Sequence, residues 1–188
     1  MSVGLFVSGN LHILPMVCFV LAQMGASLCA AGALKFLIPE NYEQGNTNLG
    51  FPHFSEDTTL LKGFILEAIG TFYLMFTIIA CAVHRNWPPY VCGPMIGGTL
   101  FLIIMTFGPV TGASLNPARV FGPALVGGEL TTMKGWWCYQ IAPFVGSIPG
   151  SLLYKFVFQV PEATYKKAAK MQKLEDIDPK ALADNKIE

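Results

Sequence analysis

The sequence predicts an all-α membrane protein, a polytopic helix bundle that contains one re-entrant half-helix. Three observations support this prediction. Of the 188 residues, 53% are hydrophobic and only 13% are charged, about half the charged share of an ordinary soluble domain. Four apolar stretches are each long enough to cross a bilayer, which takes about 20 residues. Between the third and the fourth stretch, residues 108–124 are rich in glycine and proline.

The four predicted spans are residues 11–38, 63–83, 88–108 and 136–158. They contain few charges. Lys35 and Lys155 lie near span ends, where a lysine can extend its charged group toward the interface. Glu67 is the exception, because it lies inside the second span. An acid in that position is costly unless it is paired, so we expect Glu67 to have defined partners.

The connecting segments predict the orientation. Residues 39–59 carry four acids and no lysine or arginine, whereas Arg85 follows the second span and four lysines lie within residues 166–173, soon after the last span. Basic residues favour the cytoplasmic side of a membrane. The sequence therefore predicts a cytoplasmic C-terminal tail, residues 161–188, and an acidic loop on the opposite side. Three lysines near the opposite span ends, Lys35, Lys62 and Lys134, weaken this assignment without reversing it.

Residues 109–127 are predicted to form a re-entrant loop followed by a half-helix. Asn116 is a favoured N-cap residue, and Pro117 suits the first position of a helix. Gly108 and Gly112 allow the preceding span to end. The helix that follows is only about half as long as a span. Since irregular backbone at membrane depth survives only where it is buried in protein or lines a watery cavity, this pattern predicts a pore or a carrier site.

Other functional classes have little support in the sequence. The formal net charge is zero, so no nucleic-acid partner is expected. The five cysteines form no CxxC pair and the three histidines are isolated, so no zinc site or disulfide framework is predicted. No catalytic combination of residues is recognisable. We therefore expect neither an enzyme nor a bound cofactor.

Residues 114–123 resemble the second Asn-Pro-Ala signature of the aquaporins, the major intrinsic proteins. Residues 22–25, residues 67–72 and the pair Pro143 and Gly146 resemble patterns of the third, fourth and sixth helices of that family. The resemblance covers residues 1–160 and implies an inverted repeat, in which each half supplies three helices and one half-helix. Residues 1–8 resemble the remnant of the first half-helix. The resemblance therefore implies an incomplete, N-terminally truncated repeat that lacks the first two helices and the first signature.

The resemblance implies a passive channel for water, with ammonia and hydrogen peroxide as further solutes. The implied pore and selectivity residues are Asn116, Pro117, Ala118, Arg119, Ala113, Ile104, Gly112 and Ser114. Among them, Arg119, Ala113 and Ile104 would form the outer filter, and Glu67 would brace the re-entrant loop. A positive half-helix end beside an arginine repels protons and cations while neutral molecules pass.

The solute class stays open. Ile104 with Ala113 resembles tonoplast intrinsic proteins and aquaammoniaporins. Val120 and Ala124 differ from the pattern of glycerol facilitators, so glycerol is disfavoured. Gln140 departs from the tryptophan that is usual in water channels.

The alternative is that this chain conducts nothing and is a truncated fragment, or a partner that alters the assembly of full-length channels. The resemblance implies a multi-pass protein in contact with membrane lipid, water and small neutral solutes, and a homotetramer for a full-length chain. It does not indicate which membrane.

Overall fold

The structure is a computed structural model that describes residues 1–38, 49–83, 87–128, 135–158 and 171. The chain divides into two compact units, residues 1–157 and residues 158–188. Of the second unit, which includes the predicted tail, only Phe158 and Met171 are described. Arg85 and Lys134, on which the predicted orientation partly depends, also lie outside the described residues.

All regular secondary structure in the described part of the chain is helical, and the prediction of an all-α membrane fold is confirmed. The helices are α1 (Ser2–Val7), α2 (Ile13–Leu37), α3 (Leu60–Ile78), α4 (Pro89–Thr111), α5 (Pro117–Gly127) and α6 (Trp136–Leu153). Single π-helical turns, Ile79–Val83 and Tyr154–Phe158, continue α3 and α6. Four of the described helices, α2, α3, α4 and α6, are long and apolar enough to cross a membrane.

The third spanning helix ends later than the glycine pattern suggested. The span was predicted to stop at Gly108, but α4 continues to Thr111 with Pro109 inside its last turn. The break occurs at Gly112, whose φ is +76° and whose N–H donates to the Gly108 carbonyl at 2.8 Å. Such a left-handed residue after the last helical turn is a common way for a helix to end, and glycine adopts it without strain.

Among the described helices, α3 and α6 form the most extensive contact, and they run parallel. A Cβ on Gly146 would collide with the Ala68 carbonyl. The same contact recurs one turn later, where a Cβ on Gly150 would lie 2.7 Å from the Phe72 carbonyl oxygen. Two glycines four residues apart therefore bring the two backbones together, as small residues do in membrane helix pairs.

The half-helix α5 packs against α2. The Gly122 N–H donates to the Ser27 Oγ at 3.0 Å, and the Lys35 Nζ donates to the Val126 carbonyl at 3.1 Å. At 11 residues, α5 is about 16 Å long, roughly half the thickness of a bilayer core. The contacts with α2 therefore hold a helix that is too short to span.

Candidate functional site

The loop that joins α4 to α5 has an unusual backbone. Gly112, Ala113 and Leu115 have φ values of +76°, +42° and +54°. The left-handed region is costly for residues with a Cβ and persists only where the surroundings enforce it. At Gly112 the surroundings also exclude a side chain, because a Cβ there would lie 2.6 Å from the Cβ of Pro52. The loop is therefore fixed by its neighbours.

The main support of the loop is Glu67 on α3, which is fully buried. Its Oε1 accepts hydrogen bonds from the Ser114 N–H at 3.0 Å and from the Thr111 Oγ1 at 2.7 Å. Its Oε2 accepts one from the Leu115 N–H at 2.7 Å. Hydrogen bonds to an ionised carboxylate are about twice as strong as neutral ones. The Glu67 carboxylate thus accepts hydrogen bonds from the N–H groups of two successive loop residues, Ser114 and Leu115.

A second set of contacts holds the end of α4. The Thr111 Oγ1 also accepts from the Ala113 N–H at 3.1 Å. The Thr111 carbonyl, one of the last in the helix, accepts from the Tyr139 hydroxyl of α6 at 2.7 Å. Tyr139 is itself fully buried, with its ring 4.7 Å from that of Phe54. The loop is therefore held from α3 on one side and from α6 on the other.

We expect Tyr139→Phe to lower the free energy of unfolding by about 1–2 kcal/mol, because the Thr111 carbonyl loses its donor in a buried site. The matched control is Tyr73→Phe, since the Tyr73 side chain is 57% exposed and should change stability by less than about 0.5 kcal/mol. Reversible unfolding in mixed micelles, followed by circular dichroism, measures both. Equal effects of the two substitutions would contradict the prediction.

The half-helix α5 begins at Pro117 with Asn116 as its N-cap, as the sequence suggests. The Asn116 Oδ1 accepts from the Ala118 N–H at 3.1 Å, and Pro117 occupies the first turn. Arg119 follows on the same turn, and its Nη1 lies 3.4 Å from the Gly112 carbonyl oxygen. Both Asn116 and Arg119 are exposed, whereas their neighbours Ala118 and Val120 are buried. The amide and the guanidinium therefore face open space beside the positive end of α5.

Two cavities meet at Asn116. The larger, about 400 Å³, lies between α2 and α5 and is lined by Asn116, Arg119 and Gln23 among others. The smaller, about 50 Å³, is lined by Asn116 and Gln23 together with the first residues of the chain, including Ser2. The Gln23 Nε2 donates to the Ser2 Oγ at 3.2 Å. The beginnings of α1 and α5 therefore line one cavity, with Gln23 between them.

The predicted site residues do not all lie together. Those that line the two cavities are Asn116, Pro117, Ala118 and Arg119. Gly112 and Ser114 belong to the supported loop. Ala113 is only 4% exposed and packs in an apolar cluster with Leu115. Ile104 is 45% exposed on α4 and lines neither cavity.

Sequence reasoning missed Thr111 and Tyr139. The only available signal was a hydroxyl in a strongly apolar segment, which must find a partner when buried. It could not show that both hydroxyls serve the same loop, because their partners lie on other helices. Nor do the described residues offer a group of three His, Cys, Asp or Glu side chains that could hold a metal ion.

Comparison with known proteins gives a consistent result. The family model described as major intrinsic protein matches residues 1–154. Nodulin-26 of Glycine max is 41% identical over 139 residues, which cover 74% of this chain and 48% of that protein. Aquaporin NIP1-1 of Zea mays is 36% identical over 139 residues, covering 74% of this chain and 46% of that protein. The chain thus spans about half the length of these curated relatives.

Among solved structures, the aquaglyceroporin from Plasmodium falciparum superposes with a TM-score of 0.73 at 21% sequence identity. The match covers 83% of this chain and 69% of that chain. At this identity the match shows the fold alone.

Proposed function

The chain belongs to the major intrinsic protein family, and from this membership we propose that it acts in the passive passage of water and small neutral solutes through a membrane. The observation that carries the proposal is the arrangement at the start of α5. There Asn116 and Arg119 are exposed on a cavity, beside a loop whose amides are bound by the buried Glu67. The family and the four apolar helices make the protein a multi-pass membrane protein.

In the proposed mechanism, hydrogen-bond donors of the protein replace the water molecules that hydrate the solute. The Asn116 side-chain oxygen is engaged in capping α5, and its NH₂ can donate to a passing oxygen. Arg119 adds further donors and a full positive charge close to the half-charge of the helix N-terminus. A neutral molecule that accepts hydrogen bonds is stabilised here, whereas a proton or a cation is repelled. No proton transfer is required of any residue.

Water is the first proposed solute, and ammonia and hydrogen peroxide are further ones. The relatives reported above are nodulin-26 and an NIP aquaporin, so the resemblance to tonoplast intrinsic proteins drawn from Ile104 and Ala113 stays a prediction. Exclusion of glycerol also stays a prediction. Val120 and Ala124, on which it depends, are fully buried against Phe51 and Tyr139, so their effect on a solute would be indirect.

The orientation and the assembly are part of the same proposal. We place residues 161–188 on the cytoplasmic side, following the distribution of lysine and arginine in the sequence. Exposed apolar side chains on α2, such as Leu14 and Phe36, fit a surface that faces lipid or a neighbouring subunit. A homotetramer is the expected assembly by family resemblance.

We expect proteoliposomes that contain this chain to show faster osmotic water flux than empty liposomes, and Arg119→Trp to abolish the increase. The indole would fill space beside Asn116 and remove the Arg119 donors. The measurement is stopped-flow light scattering after an osmotic step, at equal protein incorporation. The matched control is Phe36→Trp, because Phe36 is 88% exposed on α2 and the added bulk lies outside the cavity.

The measured water flux distinguishes a conducting chain from a non-conducting one. Flux that is raised in the wild type and in Phe36→Trp, but not in Arg119→Trp, supports a conducting chain. Flux equal to that of empty liposomes would instead favour the alternative, in which this chain alone conducts nothing or alters the assembly of full-length channels.

A further inference from the structure

Three sulfur-bearing residues lie close together at the end of the bundle opposite the re-entrant loop. Cys81 lies in the π-helical turn after α3, and Cys92 and Met95 lie in the first turns of α4. The Cys81 Sγ is 3.7 Å from the Met95 Sδ. The Cys92 Sγ donates to the Cys81 carbonyl at 2.9 Å. Two elements therefore bring two thiols and a thioether into one small region.

The local backbone explains the convergence. Cys92 and Met95 are three residues apart on a helix, so their side chains share one face. Cys81 meets that face from a π-helical turn, in which one extra residue widens the helix. Single π-helical turns are rare and occur frequently at functional sites. The turn thus presents Cys81 to both sulfur-bearing residues of α4.

We propose that Cys81, Cys92 and Met95 form a binding site for a soft monovalent metal ion of the Cu(I) class. Thiolate and thioether sulfurs are soft ligands that select Cu(I) over harder ions. The spacing of the Cys81 and Met95 sulfurs fits two corners of a three-coordinate site. With metal–sulfur bonds of about 2.3 Å, two corners of a trigonal site lie about 4 Å apart, close to the 3.7 Å between the Cys81 and Met95 sulfurs.

The binding step balances without an oxidant or a reductant. Cys81 and Cys92 enter the binding step as thiols, each with one proton on sulfur. A Cu(I) ion replaces these two protons, which pass to the solvent, and two S–Cu bonds form while the metal stays monovalent. Met95 adds a third bond from a sulfur lone pair and releases no proton. The Cys92 side chain must rotate away from the Cys81 carbonyl to point its sulfur at the ion.

The site is accessible from one side. Cys81 is only 2% exposed, Cys92 is half-buried, and Met95 is 37% exposed. Close by, Trp87 and Tyr90 are exposed at the start of α4, and such aromatic residues favour the membrane–water interface. An ion can therefore enter past Met95 and Cys92 from the interface, and Cys81 closes the inner side.

The test is an anaerobic competition between the detergent-solubilised full chain and the Cu(I) chelator bicinchoninate. Cys18 and Cys29 are exposed on α2, so the reference protein carries Cys18→Ser and Cys29→Ser. We expect the reference to remove one Cu(I) per chain from the chelator and to release about two protons. X-ray absorption should then count three sulfur neighbours.

Single substitutions test which of the proposed side chains bind the Cu(I) ion. In the reference protein, Cys92→Ser should weaken Cu(I) binding at least 10-fold. Met95→Leu replaces a partly exposed side chain by one of similar size that has no sulfur. The number of sulfur neighbours of the bound Cu(I) should therefore fall from three to two. The matched control is Cys138→Ser, because Cys138 is also a buried free thiol but lies on α6, and it should bind as the reference does. Circular dichroism checks that each variant is folded.

The proposal is overturned if the reference protein removes no Cu(I) from the chelator. It is equally overturned if Cys138→Ser weakens binding as much as Cys92→Ser, or if Met95→Leu leaves the sulfur count at three. These readouts do not depend on water permeability, so the metal site and the proposed channel function can fail separately.

Discussion

Replacing Glu67 with glutamine is expected to lower the free energy of unfolding by roughly 2–4 kcal/mol, because the buried carboxylate accepts from Thr111, Ser114 and Leu115. The substitution keeps the shape of the side chain and removes its charge. One of its two oxygens becomes an NH₂, which would face either the Leu115 N–H or the pair of donors at the other oxygen. A donor opposite a donor cannot bond, so at least one loop amide is left unsatisfied.

The measurement is reversible unfolding in mixed micelles, with Glu56→Gln as the matched control. Glu56 is an exposed acid in the segment before α3, and the same chemical change there should alter stability by less than about 0.5 kcal/mol. A Glu67→Gln protein as stable as the Glu56→Gln protein would show that the loop does not depend on the carboxylate. If the loop does depend on it, any water flux of the wild type should also fall, since Asn116 and Arg119 follow directly from the loop.

Gly146→Ala is expected to lower the free energy of unfolding by roughly 2–3 kcal/mol. The added methyl group collides with the carbonyl of Ala68 on α3, and a backbone carbonyl cannot move aside as a flexible side chain can. Helices α3 and α6 must therefore separate, which strains the most extensive contact in the bundle. Overpacking of this kind costs about 1–3 kcal/mol, and at this position the obstacle is backbone.

Gly97→Ala provides the matched control. Gly97 lies inside α4, and a Cβ there would meet nothing within 4 Å. The helix propensity of alanine should leave that variant unchanged or up to about 1 kcal/mol more stable. The prediction fails if the two alanine variants unfold at the same detergent composition.

Much of the architecture could be predicted from local properties of the sequence. Length and apolarity of a segment determine whether it can span a bilayer, so helix α2 was expected at residues 11–38 and lies at Ile13–Leu37. The start of α5 depends on two adjacent residues, Asn116 and Pro117, whose preferences are local. In both cases the physical cause lies within the segment itself.

The remainder depends on contacts between segments that are distant in sequence. Gly108 and Gly112 are equally able to end a helix, and Pro52, which packs against Gly112, belongs to another part of the chain. Likewise, the resemblance assigned Glu67 to the loop, but nothing in the sequence linked Thr111 to Tyr139. The burial of Ala113 follows from its left-handed φ and its apolar neighbours, neither of which a residue pattern reveals.

The contact between Lys35 and the last turn of α5 changes the distance over which the electrostatic potential of that helix acts. An isolated helix carries opposite partial charges at its two ends, about half a unit each, and their potentials partly cancel at a distance. The Lys35 ammonium, 3.1 Å from the Val126 carbonyl oxygen, offsets the negative end. The half-helix and Lys35 together therefore carry a net positive charge, and the potential of a net charge decays more slowly with distance than that of a dipole. An approaching cation should therefore be repelled well before it reaches Asn116.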